Sequence, residues 1–446
     1  MGKVPGVDPE KGVFRDNSGD PLSCLYDRRV TVRGWAILSL IVLVAGLIVT
    51  TALLVPWQRP PAPRPDQLAA LSELPADRVA QARELRSELR WIQYPSMILG
   101  LLFALLLGLT PLGAKLVGLV PGPWLLKVVG GGLLVLLVAD LVTLPFAAWR
   151  HSVLVRYGLS TQDWGAWSVD LLKGYGIGAV LGAIVLIGFF GLTRLMPNWW
   201  WAWGAAGAAA LVVLLSFILP VLVEPVFNKF TPMPDSSLRT ELLQLATRDG
   251  VPVRDVLVAD ASRRTTALNA YVSGIGPTRR IVVYDTLLKE APPAEVVSVV
   301  AHELGHAKDR DVVTFTLVGA LGTAAMVVGL YLIGGWGWLL RMSGVDSIRD
   351  PRAIGLLMAI AVVAGLLATP VQAYVSRLIE ARADAHALAL TDDPDTFAEM
   401  QKRLSLVNLG DPDPPAWEQT LFGSHPTTVE RIAAARSYAR SDRLPR

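Results

Sequence analysis

His302 and His306 stand four residues apart in VVAHELGHAKDRD (299–311), and Glu303 directly follows the first of them. The chain has only five histidines in 446 residues. A chance match to this pattern is expected on the order of once in several hundred such chains. On a helix, residues i and i+4 leave one face about one turn apart. Two imidazoles so placed can ligate one tetrahedral Zn²⁺. Glu303 lies beside that face and can reach a water activated by the ion, which is the general-base position of an HExxH metallopeptidase.

A catalytic zinc takes three protein ligands and keeps one position open. Cys24 is the sole cysteine, so the third ligand must be His, Asp or Glu, and a disulfide framework is excluded. In SRLIEARADAHAL (376–388), Glu380 and Asp384 are again four apart. Glu380 reads as the third ligand. Asp384 reads as the acceptor of a hydrogen bond from a ligand imidazole, fixing its tautomer. The competing reading is a solvated helix whose carboxylates pair with Arg377 and Arg382. His386 lies two past Asp384, points elsewhere and reads as structural. His425, in GSHPTTVERI, either stabilises the oxyanion of a tetrahedral intermediate or merely precedes a helix that starts at Pro426. His151 reads as an interface residue after a membrane span.

The elements that must position these residues are mostly apolar. Hydrophobic residues make up 52% of the chain and charged ones 18%, where soluble domains carry closer to a quarter. The balance points to an integral membrane protein, and a net charge of +3 with no basic tract argues against nucleic acid as a partner. Spans need about 20 apolar residues. Seven candidates lie near 35–55, 91–109, 125–149, 174–192, 199–221, 312–340 and 354–374. Asp140, inside the third, is read as facing a polar interior, because a carboxylate facing lipid is costly. WWWAW (199–203) reads as an aromatic belt at a headgroup boundary.

Residues 1–33 read as a flexible polar tail without a signal-peptide core or a myristoylation serine. An N-terminal membrane domain follows at 34–223, with five spans and an amphipathic helix outside the bilayer at 66–90. Residues 224–311 carry short strand-like runs, DVLVAD, NAYVSG and RRIVVYD, and then a helix opened by Pro292-Pro293 that holds the HExxH motif. Two spans fill 312–375. Residues 376–446 complete the zinc site with further helices at 395–409 and 427–440. The fold class is a mostly α polytopic membrane protein with a small α+β metalloprotease domain.

Six blocks stand in order: EPVFNKFTPMP (224–234), ALNAYVSG (267–274), RRIVVYDTLL (279–288), VVAHELGHAKDRD, SRLIEARADAHAL and SHPTTVERI. Together they resemble the type 1 CAAX prenyl proteases, seven-span zinc endopeptidases that include the a-factor-processing enzyme. The resemblance covers roughly 60–440. It implies one zinc per chain on His302, His306 and Glu380, and Glu303 as catalytic base. It also implies that Asn269 meets the substrate and that His425 stabilises the transition state. It further implies a large water-filled intramembrane chamber.

The reaction expected is peptide-bond hydrolysis on a peptide or protein substrate, with lipidation of that substrate left open. The edge at Asn269, Ala270 and Tyr271 would take the substrate backbone as an added strand. Two other readings compete. One is a quality-control protease of the same clan. The other is a non-enzymatic scaffold or transporter with a structural zinc, against which Glu303 argues, since a structural site needs no base. Charge gives mixed signals on orientation: Arg28, Arg29 and Arg33 favour an inner N-terminus, and six arginines in 56–90 favour the reverse. The family resemblance places the active site on the cytoplasmic face.

Overall fold

The computed structural model describes residues 21–58 and 61–442. The first helices are α1 (Pro21–Leu54), α2 (Arg64–Ser72), α3 (Ala76–Gly108), α4 (Pro111–Gly118), α5 (Trp124–Arg156), α6 (Trp164–Leu195) and α7 (Trp200–Phe227). Next come α8 (Ser237–Arg248), α9 (Asp285–Glu290) and α10 (Pro293–Lys308). The last are α11 (Asp311–Ile333), α12 (Gly337–Ser343), α13 (Ile354–Thr391), α14 (Pro394–Val407), α15 (Ala416–Phe422) and α16 (Thr428–Asp442). Among the described residues, seven helices are long and apolar enough to cross a membrane: α1 from Thr31 onward, α3, α5, α6, α7, α11 and α13. Ile41, Val42 and Ile48 on α1, and Leu367 and Val371 on α13, are exposed. Large exposed apolar surface of this kind marks contact with lipid.

Residues 230–284 supply a four-stranded sheet: β1 (Phe230–Pro232), β2 (Asp255–Ala259), β3 (Ala270–Ser273) and β4 (Arg280–Tyr284), in the order β1-β2-β4-β3. The β2–β4 pair is parallel and the two outer pairs are antiparallel. NAYVSG therefore forms an edge strand, as its sequence predicts. One face of the sheet packs on α10. Val256, Ile281 and Val283 from the strands join Val296, Val300 and Leu304 of α10, Leu242 of α8, Phe397 of α14 and Ile432 of α16 in a single core. That core holds the HExxH helix by one apolar face and leaves the other free for chemistry.

Several sequence expectations change. The tail expected at 1–33 ends earlier, since α1 already starts at Pro21; residues 1–20 lie outside the described residues. The amphipathic stretch 66–90 is not one separate helix. It breaks at Pro75, and everything from Ala76 onward belongs to α3, which continues through Pro95 to Gly108. An amphipathic surface helix and a span share the same 3.6-residue period, so nothing in the pattern separates them. The sixth span stops at Ile333 instead of reaching 340, ended by Gly334-Gly335.

The seventh span and the Glu380 segment are one 38-residue helix, α13, with Pro370 inside it. At 1.5 Å per residue it is about 57 Å long, against about 30 Å of hydrocarbon. Of the tryptophans at 199–203, Trp199 and Trp203 are exposed, but Trp200 and Trp201 are buried against Phe189 and Tyr331. Packing between spans thus uses half of that cluster. Asp140 is exposed on α5.

The arginines of 56–90 also have a different part. Arg64 pairs with Asp413 (2.6 Å), Arg90 with Glu418 (2.7 Å) and Arg83 with Asp411 (3.7 Å). These ion pairs dock α2 and the first turns of α3 onto the C-terminal region, so the charges serve assembly as much as orientation.

Candidate metal centre

Pro292 and Pro293 open α10, where a missing N–H is one of the orphans of a helix start. The helix then runs unbroken to Lys308. Arg310, left-handed at φ 57°, turns the chain so that α11 begins at once with Asp311. A non-glycine residue in that region is uncommon and marks a turn fixed by its surroundings. Opposite α10 lies α13. The two approach closely at Gly305: a Cβ there would come within 3.1–3.3 Å of His386 and of the Ala383 backbone. The glycine of HELGH thus sets the distance between the two helices and brings Glu380 to the histidines.

His302 Nε2 and His306 Nε2 lie 3.2 Å apart. Glu380 Oε2 is 3.2 Å from His302 Nε2, and Glu380 Oε1 is 3.4 Å from His306 Nε2. These three residues could hold one metal ion. The other ring nitrogens face carboxylates, His302 Nδ1 at 2.9 Å from Asp384 Oδ1 and His306 Nδ1 at 2.8 Å from Asp311 Oδ2. A carboxylate only accepts, so each Nδ1 carries a proton and each Nε2 of a neutral ring is left with a lone pair. Two lone pairs and a carboxylate then converge on one point. Glu380 Oε2 is also buried there without a hydrogen bond of good geometry. Acceptors gathered with no donor among them fit a cation. Burial opposes charge on His302, but the Asp384 and Glu380 carboxylates beside it outweigh burial and raise it to about 9. The surroundings thus favour positive charge, as a proton on His302 or a metal ion in its place.

The outer partners are held in turn. Arg431, from α16, grips Asp384 through both nitrogens, with Nε 2.8 Å from Oδ2. Arg382 holds Asp311 and also lies 2.7 Å from Asp309. Asp311 and Arg431 escape the sequence reading. Asp311 closes the quoted motif five residues after His306, so its position was available as a signal. Arg431 reaches Asp384 from 47 residues away, and nothing local announces it.

Glu303 is partly buried beside His302, and burial raises its carboxyl above the ordinary value against the pull of both histidines. His425 sits on the link between α15 and α16 with Nε2 3.5 Å from Glu380 Oε2. Ser424 Oγ lies 2.9 Å from His425 Nδ1. With that hydroxyl donating, the imidazole keeps its proton on Nε2, toward the centre.

Asn269 is exposed just before β3, and its carbonyl accepts from Tyr284 N–H at 3.0 Å. Antiparallel alternation then turns the Tyr271 backbone groups toward β4 and those of Ala270 and Val272 to the open edge. His386 is 3.1 Å from the buried Asp249, which also accepts from Lys308; it staples the back of α10 and has no place at the centre. His151 is buried inside α5 between Trp164 and Trp167. It is packed among aromatic rings near the C-terminal end of α5.

Known proteins match this chain over most of its length. The model of peptidase family M48 matches residues 232–439. The model described as CAAX prenyl protease N-terminal, five membrane helices, matches residues 65–229. The uncharacterized metalloprotease YhfN of Bacillus subtilis is 29% identical over 316 residues, 70% of this chain and 73% of that protein. A CAAX prenyl protease 1 homolog of Oryza sativa subsp. japonica is 33% identical over 311 residues, 67% of this chain and 71% of that protein. A crystal structure of S. mikatae Ste24p superposes with a TM-score of 0.71 at 21% identity, covering 92% of this chain and 98% of that one.

Proposed function

Because this chain belongs to the CAAX prenyl protease family of M48 membrane metalloproteases, we propose that it is a zinc endopeptidase with one Zn²⁺ on His302, His306 and Glu380. The observation that carries the proposal is the convergence of the ligand atoms: the two Nε2 atoms are 3.2 Å apart, Glu380 Oε2 is 3.2 Å from His302 Nε2, and Glu380 Oε1 is 3.4 Å from His306 Nε2. Ligands about 2.0–2.1 Å from a tetrahedral zinc lie about 3.3 Å apart. Zn²⁺ bound there supplies a Lewis acid to the scissile carbonyl and to the attacking water. Glu303 takes the proton from that water and passes it to the leaving amine. His425 donates its Nε2–H to the developing oxyanion. Asp384 and Asp311 hold the two imidazoles in the tautomer that keeps both Nε2 atoms free.

The substrate lies extended along the open edge of β3. Ala270 and Val272 offer their main-chain groups, and the Asn269 amide can both donate and accept. The relatives named CAAX prenyl proteases make prenylated peptides the first substrates to test. The decisive assay is peptide hydrolysis by the purified protein in detergent, read by mass spectrometry. Cleavage is expected to stop when 1,10-phenanthroline strips the metal and to return with added Zn²⁺. Cleavage that persists in verified metal-free protein would sink the reading. In the same assay Val272→Pro removes one outward donor without touching the β4 pairing. It is expected to lower kcat/KM several-fold, the scale of one hydrogen bond, at unchanged zinc content. An unchanged kcat/KM would remove the strand-addition model.

We place the active site on the cytoplasmic face. The C-terminal end of α1 leads to α2, which docks on the protease part, so Cys24 near the start of α1 lies at the opposite end of a span. An impermeant maleimide added to intact cells is expected to label Cys24. Labelling only after the cells are opened would reverse the orientation.

A further inference from the structure

We infer that Arg377 is a positioning residue that holds the His425 link over the metal centre; the catalytic half of this inference rests on the proposed role of His425. Arg377 lies three residues before Glu380 on α13, so both leave the same face of the helix. Its Nη1 donates to two main-chain carbonyls, Gln419 O at 2.7 Å and Gly423 O at 2.6 Å. Those carbonyls belong to the end of α15 and the residue after it, immediately ahead of Ser424 and His425.

Gln419 completes the fastening, since its Nε2 donates to His425 O at 2.7 Å. Beyond His425 the chain is fixed by a capping box at the start of α16. Thr427 N–H donates to Glu430 Oε2 at 2.7 Å, and Glu430 N–H donates to Thr427 Oγ1 at 3.2 Å. Arg377 and Gln419 therefore hold the upstream side of the histidine, and the capping box holds the downstream side.

The use of an arginine here is informative. Its neighbour Arg382 pairs with Asp309 and Asp311. Arg377 forms no ion pair with a carboxylate among the described residues and directs its charge at carbonyls instead. Charge-assisted bonds to two carbonyls are stronger than neutral ones. They act on a segment with no buried residue, whose other anchors, the Arg90–Glu418 ion pair and the Tyr94 ring against Trp417 and Phe422, grip α15 and not the link that carries His425. One helix thus delivers a metal ligand and, one turn earlier, the clamp that registers the oxyanion donor against that ligand. Loss of the clamp leaves the metal site intact and lets His425 drift. Misplacement of a group near the reacting atoms costs rate more than binding.

The test uses the full-length protein in detergent and two readouts. Hydrogen–deuterium exchange reports on the link itself. Arg377→Met is expected to speed exchange across 419–427 and leave the α10 peptides unchanged, and Arg377→Lys, which keeps a cationic donor, is expected to restore part of the protection. A double-mutant cycle reports on chemistry. Arg377→Met is expected to lower kcat about tenfold with KM changed less than threefold and zinc content constant, and to cost less than twofold in a His425→Ala background.

Unchanged exchange at 419–427 overturns the positioning role. So does lost zinc in Arg377→Met, which would place the residue's effect on Glu380, and so does a full tenfold loss in the His425→Ala background. A silent His425→Ala variant would instead refute the oxyanion role proposed above, and the exchange experiment would still decide whether Arg377 orders the link.

Discussion

Glu303→Gln is expected to retain one zinc per chain and to lose roughly 100- to 10,000-fold in kcat, the range contributed by a positioned general base. The amide matches the carboxylate in shape, so the packing of α10 on the sheet is kept. The residue is not one of the three converging ligand atoms, so its loss removes no metal contact. Stability gives an independent check of sign. Burial raises the Glu303 carboxyl above its ordinary value. Charging such a group opposes folding at any pH above the ordinary carboxylate range. In protein stripped of metal a neutral amide removes that opposition, and the metal-free variant is expected to unfold at the same temperature as the metal-free parent or a higher one. Metal analysis and single-turnover peptide hydrolysis on the loaded protein, and a thermal scan after the metal is stripped, separate the three quantities. Near-parental kcat in a fully zinc-loaded variant would falsify the base assignment and with it the mechanism.

The HExxH helix was legible because its information is local. Pro292-Pro293 marks its start, the 299–304 run supplies an apolar face, and the spacing of His302 and His306 places both rings on the other face. The Glu380–Asp384 pair was legible only beside the HExxH motif, since acidic residues also stand four apart at Glu73/Asp77, Glu84/Glu88 and Asp395/Glu399. The edge strand could be read from Asn269 and Gly274, which bracket a short alternating run. By contrast β1, FTP at 230–232, is too short to carry a period, and its Pro232 fits a strand only because β1 lies on the outside of the sheet.

What stayed hidden depends on approach between distant segments. Asp311 meets His306 only because Arg310 adopts a left-handed turn. Arg431 meets Asp384 only because α16 packs against α13. The continuity of α3 and of α13 was hidden for another reason. The charged flanks before residue 91 and after residue 375 read as separate from the spans beside them, yet α3 runs from Ala76 and α13 runs on to Thr391, each carrying a proline within the span as membrane helices can. The arginines of 56–90 illustrate a third limit, since their acidic partners Asp411, Asp413 and Glu418 lie more than 300 residues away.

Glu380→Ala separates metal binding from catalysis in the opposite direction. It removes the only carboxylate among the three ligand atoms, and the two imidazoles that remain are neutral donors on one helix. Loss of an outer hydrogen-bond partner typically costs 10- to 100-fold in metal affinity. Loss of a direct ligand that also carries the charge is expected to cost more than about 100-fold, so zinc should wash out of the purified variant. Activity is expected to fall in proportion to the zinc lost, and excess Zn²⁺ should recover only a small part of it, because His425 Nε2 also loses the oxygen it faces at 3.5 Å. Glu380→Gln keeps an oxygen in place and should fall between the alanine variant and the parent in zinc content. The fold should survive both changes, since the α10–α13 contact rests on Gly305, Ala383 and His386 and not on the carboxylate. Circular dichroism checks that point before metal is counted. A folded Glu380→Ala protein with stoichiometric zinc and normal turnover would remove Glu380 from the centre and send the search for a third ligand elsewhere.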